Sequence, residues 1–163
     1  MSELSAPAQN LEAWVSFLRA HAALTRELSA DLQREHGLTI NDYEVLLHLS
    51  RADGERLRRV DLAGRVLLTA SGITRLLDGL ERSGFVCRET CPGDARVSYA
   101  KLTDEGREKL RSAGDTHLRG IDELFNARYS DEERATLAEL LGRLPSSGET
   151  GPCTASGDAG PCS

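Results

Sequence analysis

Between Ser71 and Arg82 the sequence sets Ser71, Thr74, Arg75, Asp78 and Arg82 at steps of three and four, with Ile73, Leu76, Leu77 and Leu80 in the intervening positions. At 3.6 residues per turn this is a helix with one apolar side and one side of hydroxyls and guanidinia. Such a polar side does not make or break bonds; it recognises hydrogen-bonding edges. A helix fits the major groove of duplex DNA, where Arg75 would fork onto a guanine edge and Ser71 and Thr74 would bond to bases or phosphates. The same composition also describes an ordinary solvated face. Asp78 either accepts from a cytosine amine or pairs with Arg82 one turn on.

Other chemistries find no support in the spacing. His21, His36, His48 and His117 are scattered singly, and there is no Ser-His-Asp order, phosphate-cradling glycine loop or HExxH. An enzyme is therefore not expected. Cys87 and Cys91, and Cys153 and Cys162, have no histidine beside them, so neither zinc nor any other cofactor is expected. A redox reading stays open for the first pair. Oxidising Cys87 and Cys91 together would distort the hairpin and weaken DNA binding, whereas the alternative is that both simply pack.

The elements that must carry the recognition face follow from periodicity and capping. A long helix is expected from about Asn10 to Glu35, with Trp14, Leu18, His21, Thr25, Leu28 and Leu32 on one face and Gly37 ending it. Thr39 with Asp42 opens a second helix as a near capping box. A short helix covers about Val60 to Leu67, and Thr69-Ala70-Ser71 breaks the pattern and caps the 71–83 helix. Residues 85–90 and 96–102 are rich in β-formers and flank a Pro-Gly link, which reads as a hairpin. Thr103-Asp104-Glu105 opens another helix, Ser130 with Glu133 opens the last, and Pro145 ends it. The Gly-, Ser- and Pro-rich stretch 146–163 is expected to be a disordered tail.

The 163 residues carry a net charge of −6, which argues against a nucleic-acid partner until the charge is resolved along the chain. Residues 55–101 hold nine basic groups against six acidic ones, so that segment is +3 and the remainder −9. A basic face suffices for phosphate binding. No apolar run approaches the roughly 20 residues that cross a bilayer. The first residues lack a signal-peptide pattern, so a cytoplasmic location is expected and no membrane partner.

Two short helices followed by a charged hairpin are the parts of a winged helix-turn-helix. The run Asp94-Ala95-Arg96, Val97 to Lys101, then Leu102-Thr103-Asp104-Glu105-Gly106 resembles the signature of the MarR family, the multiple-antibiotic-resistance regulators. LTASGITRLLDGLERSGFVCRE is likewise similar to that family's recognition helix running into its wing, and the likeness extends over about residues 10–144. The resemblance implies a mainly α chain with a small β-hairpin wing. It divides into an N-terminal dimerisation helix (1–36), a winged helix-turn-helix (37–102) and C-terminal dimerisation helices (103–145). It implies a homodimeric transcription regulator, a repressor by family habit, reading a pseudo-palindromic operator in double-stranded DNA. On this chain Arg96 is then the wing arginine that enters the minor groove, and Asp94 orients it. Ser71, Thr74 and Arg75 form the reading helix, with Arg58, Thr69, Arg88 and Ser98 as further DNA contacts; Arg59 beside Arg58 is a phosphate candidate. Family members respond to small aromatic or anionic effectors. Trp14 and His21, seven residues apart on one helix face, are the ligand-binding candidates here, against an ordinary core or interface role. A winged domain that binds protein instead of DNA is the remaining alternative.

Overall fold

The computed structural model describes residues 6–66, 68–91 and 94–145; the side chains of residues 6–10, 70 and 94–96 are outside that description. Leu67, Pro92, Gly93 and the whole 146–163 stretch, with Cys153 and Cys162, also lie outside it, so the reading of that stretch as a tail is not addressed. Six α-helices are described: α1 (Ala6–His36), α2 (Ile40–Ser50), α3 (Arg59–Arg65), α4 (Ala70–Arg82), α5 (Asp104–Leu124) and α6 (Asp131–Leu141). Three strands, β1 (Arg56–Arg58), β2 (Val86–Cys91) and β3 (Asp94–Leu102), form one antiparallel sheet in the order β1-β3-β2. The expected mainly α fold with a β wing is what forms, with one strand more than the hairpin.

Capping decides where the helices start. Thr39 accepts from the Asp42 amide while the Asp42 carboxylate takes the Thr39 amide, a complete capping box with Asp in the Glu position. Ser130 and Glu133 repeat the device on α6. Gly37, at φ 68°, releases the chain from α1. The core gathers where α1, α2, α4 and the sheet meet: Leu32, Val45, Leu46, Leu49, Leu62 and Leu77 have no solvent exposure, and Ile73, Leu80, Val86 and Leu102 close around them.

Polar pins join α5 to α1. The Thr116 hydroxyl donates to Glu35 at 2.8 Å and receives the His36 Nε2 proton at 2.9 Å, while Arg119 holds the same carboxylate at 2.9 Å. Thr116 and then Arg119 keep the Glu35 carboxyl below its usual range. Gly120 permits the close crossing, since a Cβ there would sit 2.7 Å from Leu28 Cδ2.

Two histidines carry a pH dependence. Burial holds the His48 imidazole below its ordinary value, with Arg65 and Arg51 adding to it; burial alone does so for His117, whose ring lies 4.5 Å from that of Tyr43. Both return to about 6.5 on unfolding. Their folded values lie below their unfolded ones, so their contribution to stability is full above about pH 6.5 and is lost as pH falls through the folded values. Glu44, pushed up by burial, acts in the opposite sense. The thermal midpoint is expected to fall between about pH 7 and pH 5.5. His117→Phe, which keeps the ring contact and removes a buried Nδ1 that has no partner, should make that fall shallower. Parallel melts of the two proteins across that range check it; superimposable slopes would remove His117 from the account.

Candidate nucleic-acid interface

The helix expected over 71–83 spans Ala70–Arg82 and is two-sided. Ile73, Leu77 and Leu80 are buried against the core and Leu76 packs beside them. Ser71, Thr74, Arg75 and Arg82 are exposed. Thr69 caps the helix by accepting from the Gly72 amide at 3.1 Å, and its hydroxyl also lies 3.2 Å from Ser71 Oγ. Both hydroxyls therefore stand at the helix N-terminus, where the helix dipole favours an anion. Arg75 and Arg82 lie seven residues apart, about 10 Å along one side of the helix. Neither has an ion-pair partner among the described residues.

Asp78 does not pair with Arg82. It meets Arg59 of α3 at 3.4 Å, 19 residues back in sequence. The pair joins the two helices of the motif and leaves Arg82 outward. Arg58 is likewise engaged: its guanidinium forks onto Asp61 at 2.8 and 3.1 Å, so its charge is partly compensated before any phosphate arrives. The neighbouring Arg56 reaches across the sheet to Glu89 at 3.1 Å and lies 5.2 Å over the Tyr99 ring.

On the wing, Arg88 and Thr90 alternate outward along β2, with Arg88 opposite Ala100. Ser98 is opposite Thr90, and its Oγ is enclosed without a hydrogen-bond partner, so this candidate does not present its hydroxyl to solvent. Asp94 and Arg96 belong to β3, and their side chains are outside the described part.

The wing cysteines are not a pair. Cys87 and Cys91 stand four residues apart on one strand, which separates their Cα atoms by about 13 Å. A disulfide needs about 4.4–6.8 Å. Cys91 is a free thiol, so the redox reading built on joining it to Cys87 fails on geometry.

The two ligand candidates part company. His21 lines an open cavity of about 700 Å³ between α1 and the start of α2, together with Thr25, Arg26, Ser29, Gln33 and Thr39. Trp14 does not line it. It is 54% exposed and stacks along α1, 6.3 Å from Phe17, which in turn lies 6.4 Å from His21. The sequence reading missed the other lining residues, although the signal was present: His21, Thr25, Ser29 and Gln33 recur at steps of four. The Ser29 hydroxyl accepts from the Ile40 amide at 3.1 Å and ties α2 to the cavity floor.

A profile of the MarR family matches residues 36–97. The crystal structure of AbsC, a MarR family transcriptional regulator from Streptomyces coelicolor, superposes with a TM-score of 0.74 at 33% identity, over 86% of this chain and 93% of that one. The chain belongs to the MarR family. Sco3205, a MarR family regulator of the same organism solved in complex with DNA, superposes with a TM-score of 0.76 at 32% identity, over 90% and 93% of the two chains. Among curated relatives, the HTH-type transcriptional regulator YkoM of Bacillus subtilis is 33% identical over 117 residues, 72% of this chain and 74% of YkoM. The HTH-type transcriptional repressor YetL of the same species is 37% identical over 108 residues, 66% of this chain and 64% of YetL. In this MarR chain no helix among the described residues is long and apolar enough to cross a membrane.

Proposed function

We propose that this MarR regulator binds double-stranded DNA as a homodimer, reading a pseudo-palindromic operator with the outer face of α4. The observation that carries this is the division of charge at the motif. Arg56, Arg58 and Arg59 are held by Glu89, Asp61 and Asp78, while Arg75, Arg82 and Arg88 stand exposed beside the Ser71 and Thr74 hydroxyls. Sco3205, similar over nearly its whole length, was solved on DNA, and this supports the reading. Two-fold symmetry puts the two α4 helices about 34–36 Å apart, in successive major grooves. Arg96 on the wing is assigned to the adjacent minor groove, with Asp94 orienting it.

Residues 37–102 form the reading unit of this proposal, with 1–36 and 103–145 as dimerisation helices. Repression is the proposed sign, as in the name of YetL. The cytoplasm is the proposed location. The cavity beside His21 has the Thr25 and Ser29 hydroxyls for hydrogen bonds and Arg26, which pairs with Glu27 at 3.3 Å, at its edge, which supports a small aromatic or anionic effector.

Binding to duplexes selected from a random pool tests the reading. Affinity should fall steeply as salt rises. Arg75→Ala should cost about 1–3 kcal/mol and relax preference at one position, whereas Arg96→Ala should weaken binding across sequences. If both variants bind the selected duplex as the parent does, the reading surface lies elsewhere.

A further inference from the structure

The turn that ends α4 is fastened to the first turn of α5 from several sides. Gly84, at φ 77°, takes the chain out of α4, and the Phe85 amide returns to the Leu80 carbonyl at 3.0 Å. Thr103 caps α5 by accepting from the Gly106 amide at 3.0 Å. The same hydroxyl donates to the Gly84 carbonyl at 2.6 Å, and the Thr103 amide donates to the Phe85 carbonyl at 3.1 Å. Gly106 has no side chain where Phe85 presses closest, and Lys109 lies 5.4 Å over the Phe85 ring. Arg107, one residue on, pairs with Glu55 just before β1. That contact also holds Glu55, the one non-glycine residue with positive φ, at 52°, among the described residues.

We infer that Thr103 is a positioning residue: its hydroxyl fixes the direction of α4 relative to α5 and thereby the separation at which the dimer's two α4 helices meet their half-sites. This rests on the reading of α4 as the DNA-reading helix of a dimer. The cap bond alone would start α5 without regard to α4. The bond to the Gly84 carbonyl is what makes one hydroxyl serve both helices. α5 is pinned to α1 through Thr116, Glu35 and Arg119, so an angle set at Thr103 is carried into the helices proposed to dimerise. Without that bond the α4 end would keep its own Phe85–Leu80 bond and the Thr103 amide bond to the Phe85 carbonyl, and α5 would hold the direction of α4 less tightly.

The test uses the full chain and a labelled duplex carrying the site that the parent protein selects from random DNA. Two further duplexes carry one base pair added or removed between the half-sites, which rotates them by about 35°. The parent and Thr103→Ser, which keeps both bonds, should lose about tenfold on the altered spacings. Thr103→Asp keeps the cap, since a carboxylate accepts from the Gly106 amide, but has no proton for Gly84. It should fold with a melting temperature lower by only a few degrees, about what one lost hydrogen bond costs, and lose less than about threefold on altered spacing. Thr103→Val, which lacks both bonds, should relax spacing in the same way at a lower melting temperature. If Thr103→Asp discriminates spacing as the parent does, the positioning role is overturned and the hydroxyl is only a cap. If the parent selects a site but ignores spacing, this inference falls while DNA reading stands. If the parent selects no site, both fall.

Discussion

Gly106→Ala is expected to lower the melting temperature by about 10 °C, although alanine is the better helix former. A Cβ at Gly106 would fall well inside contact distance of the Phe85 carbonyl oxygen, and within 2.9 Å of the Phe85 carbonyl carbon and of Leu102 Cδ1. The nearest obstacle is backbone, which cannot rotate away. Relief requires α5 to back off from the α4 turn, breaking the Thr103 bonds to Gly84 and Phe85. Overpacking costs about 1–3 kcal/mol, and each lost hydrogen bond about 1 kcal/mol. Helix propensity returns only about 1 kcal/mol, leaving a net loss of about 2–4 kcal/mol. Gly79→Ala on α4 is the control, because nothing lies within 4 Å of a Cβ there. It should raise stability by about 0.5–1 kcal/mol. Thermal melts of both variants decide it: equal and positive shifts would mean that α5 does not press on the Phe85 turn.

The contrast between those glycines shows what a sequence reveals and what it hides. Both look like weak points in a helical pattern, and only the neighbouring chain tells them apart. Local rules did well where the physics is local. The Thr39–Asp42 and Ser130–Glu133 boxes, the Gly37 stop and the two-sided α4 each depend on residues within a turn or two, and each formed as read. α1 begins at Ala6 rather than near Asn10 because Pro7 fits a first helical turn. β1 was missed because Arg-Leu-Arg is too short and too polar to read as a strand; it exists only through pairing with Tyr99, Ala100 and Lys101 more than forty residues on. The candidate site divides in the same way. The exposed face of α4 was legible, but Asp78 was offered a partner one turn away and found Arg59 on another helix. Ser98 was counted outward by type, whereas its hydroxyl is enclosed. Long-range register decides such positions, and it leaves no mark in a local pattern.

Changing Leu11 and Leu18 together to glutamate should leave the protomer folded and abolish the proposed dimer. Both are exposed on α1, at 56% and 44%, seven residues apart. Trp14, Val15 and Phe17 are exposed around them, and Leu140, Leu141 and Leu144 near the C-terminal end are exposed as well. Soluble monomers rarely leave so many large apolar side chains exposed on one helix, so covering them by a second copy is the economical explanation. Glutamate is a good helix former, so α1 loses nothing in isolation. In a dimer the change would bury four unpaired carboxylates, each costing about 3–5 kcal/mol, more than a standard interface can absorb. Light scattering should then give one chain's 17.7 kDa where the parent gives twice that. Circular dichroism should stay unchanged. Affinity for a palindromic duplex should fall about a hundredfold or more, because each chain then grips one half-site without its linked partner. Affinity for a single half-site should hardly move, since Leu11 and Leu18 belong to α1 and neither to α4 nor to the wing. A double variant that stays dimeric would place the interface on some other face, and α1 would not be the helix that sets the distance between the two α4 helices.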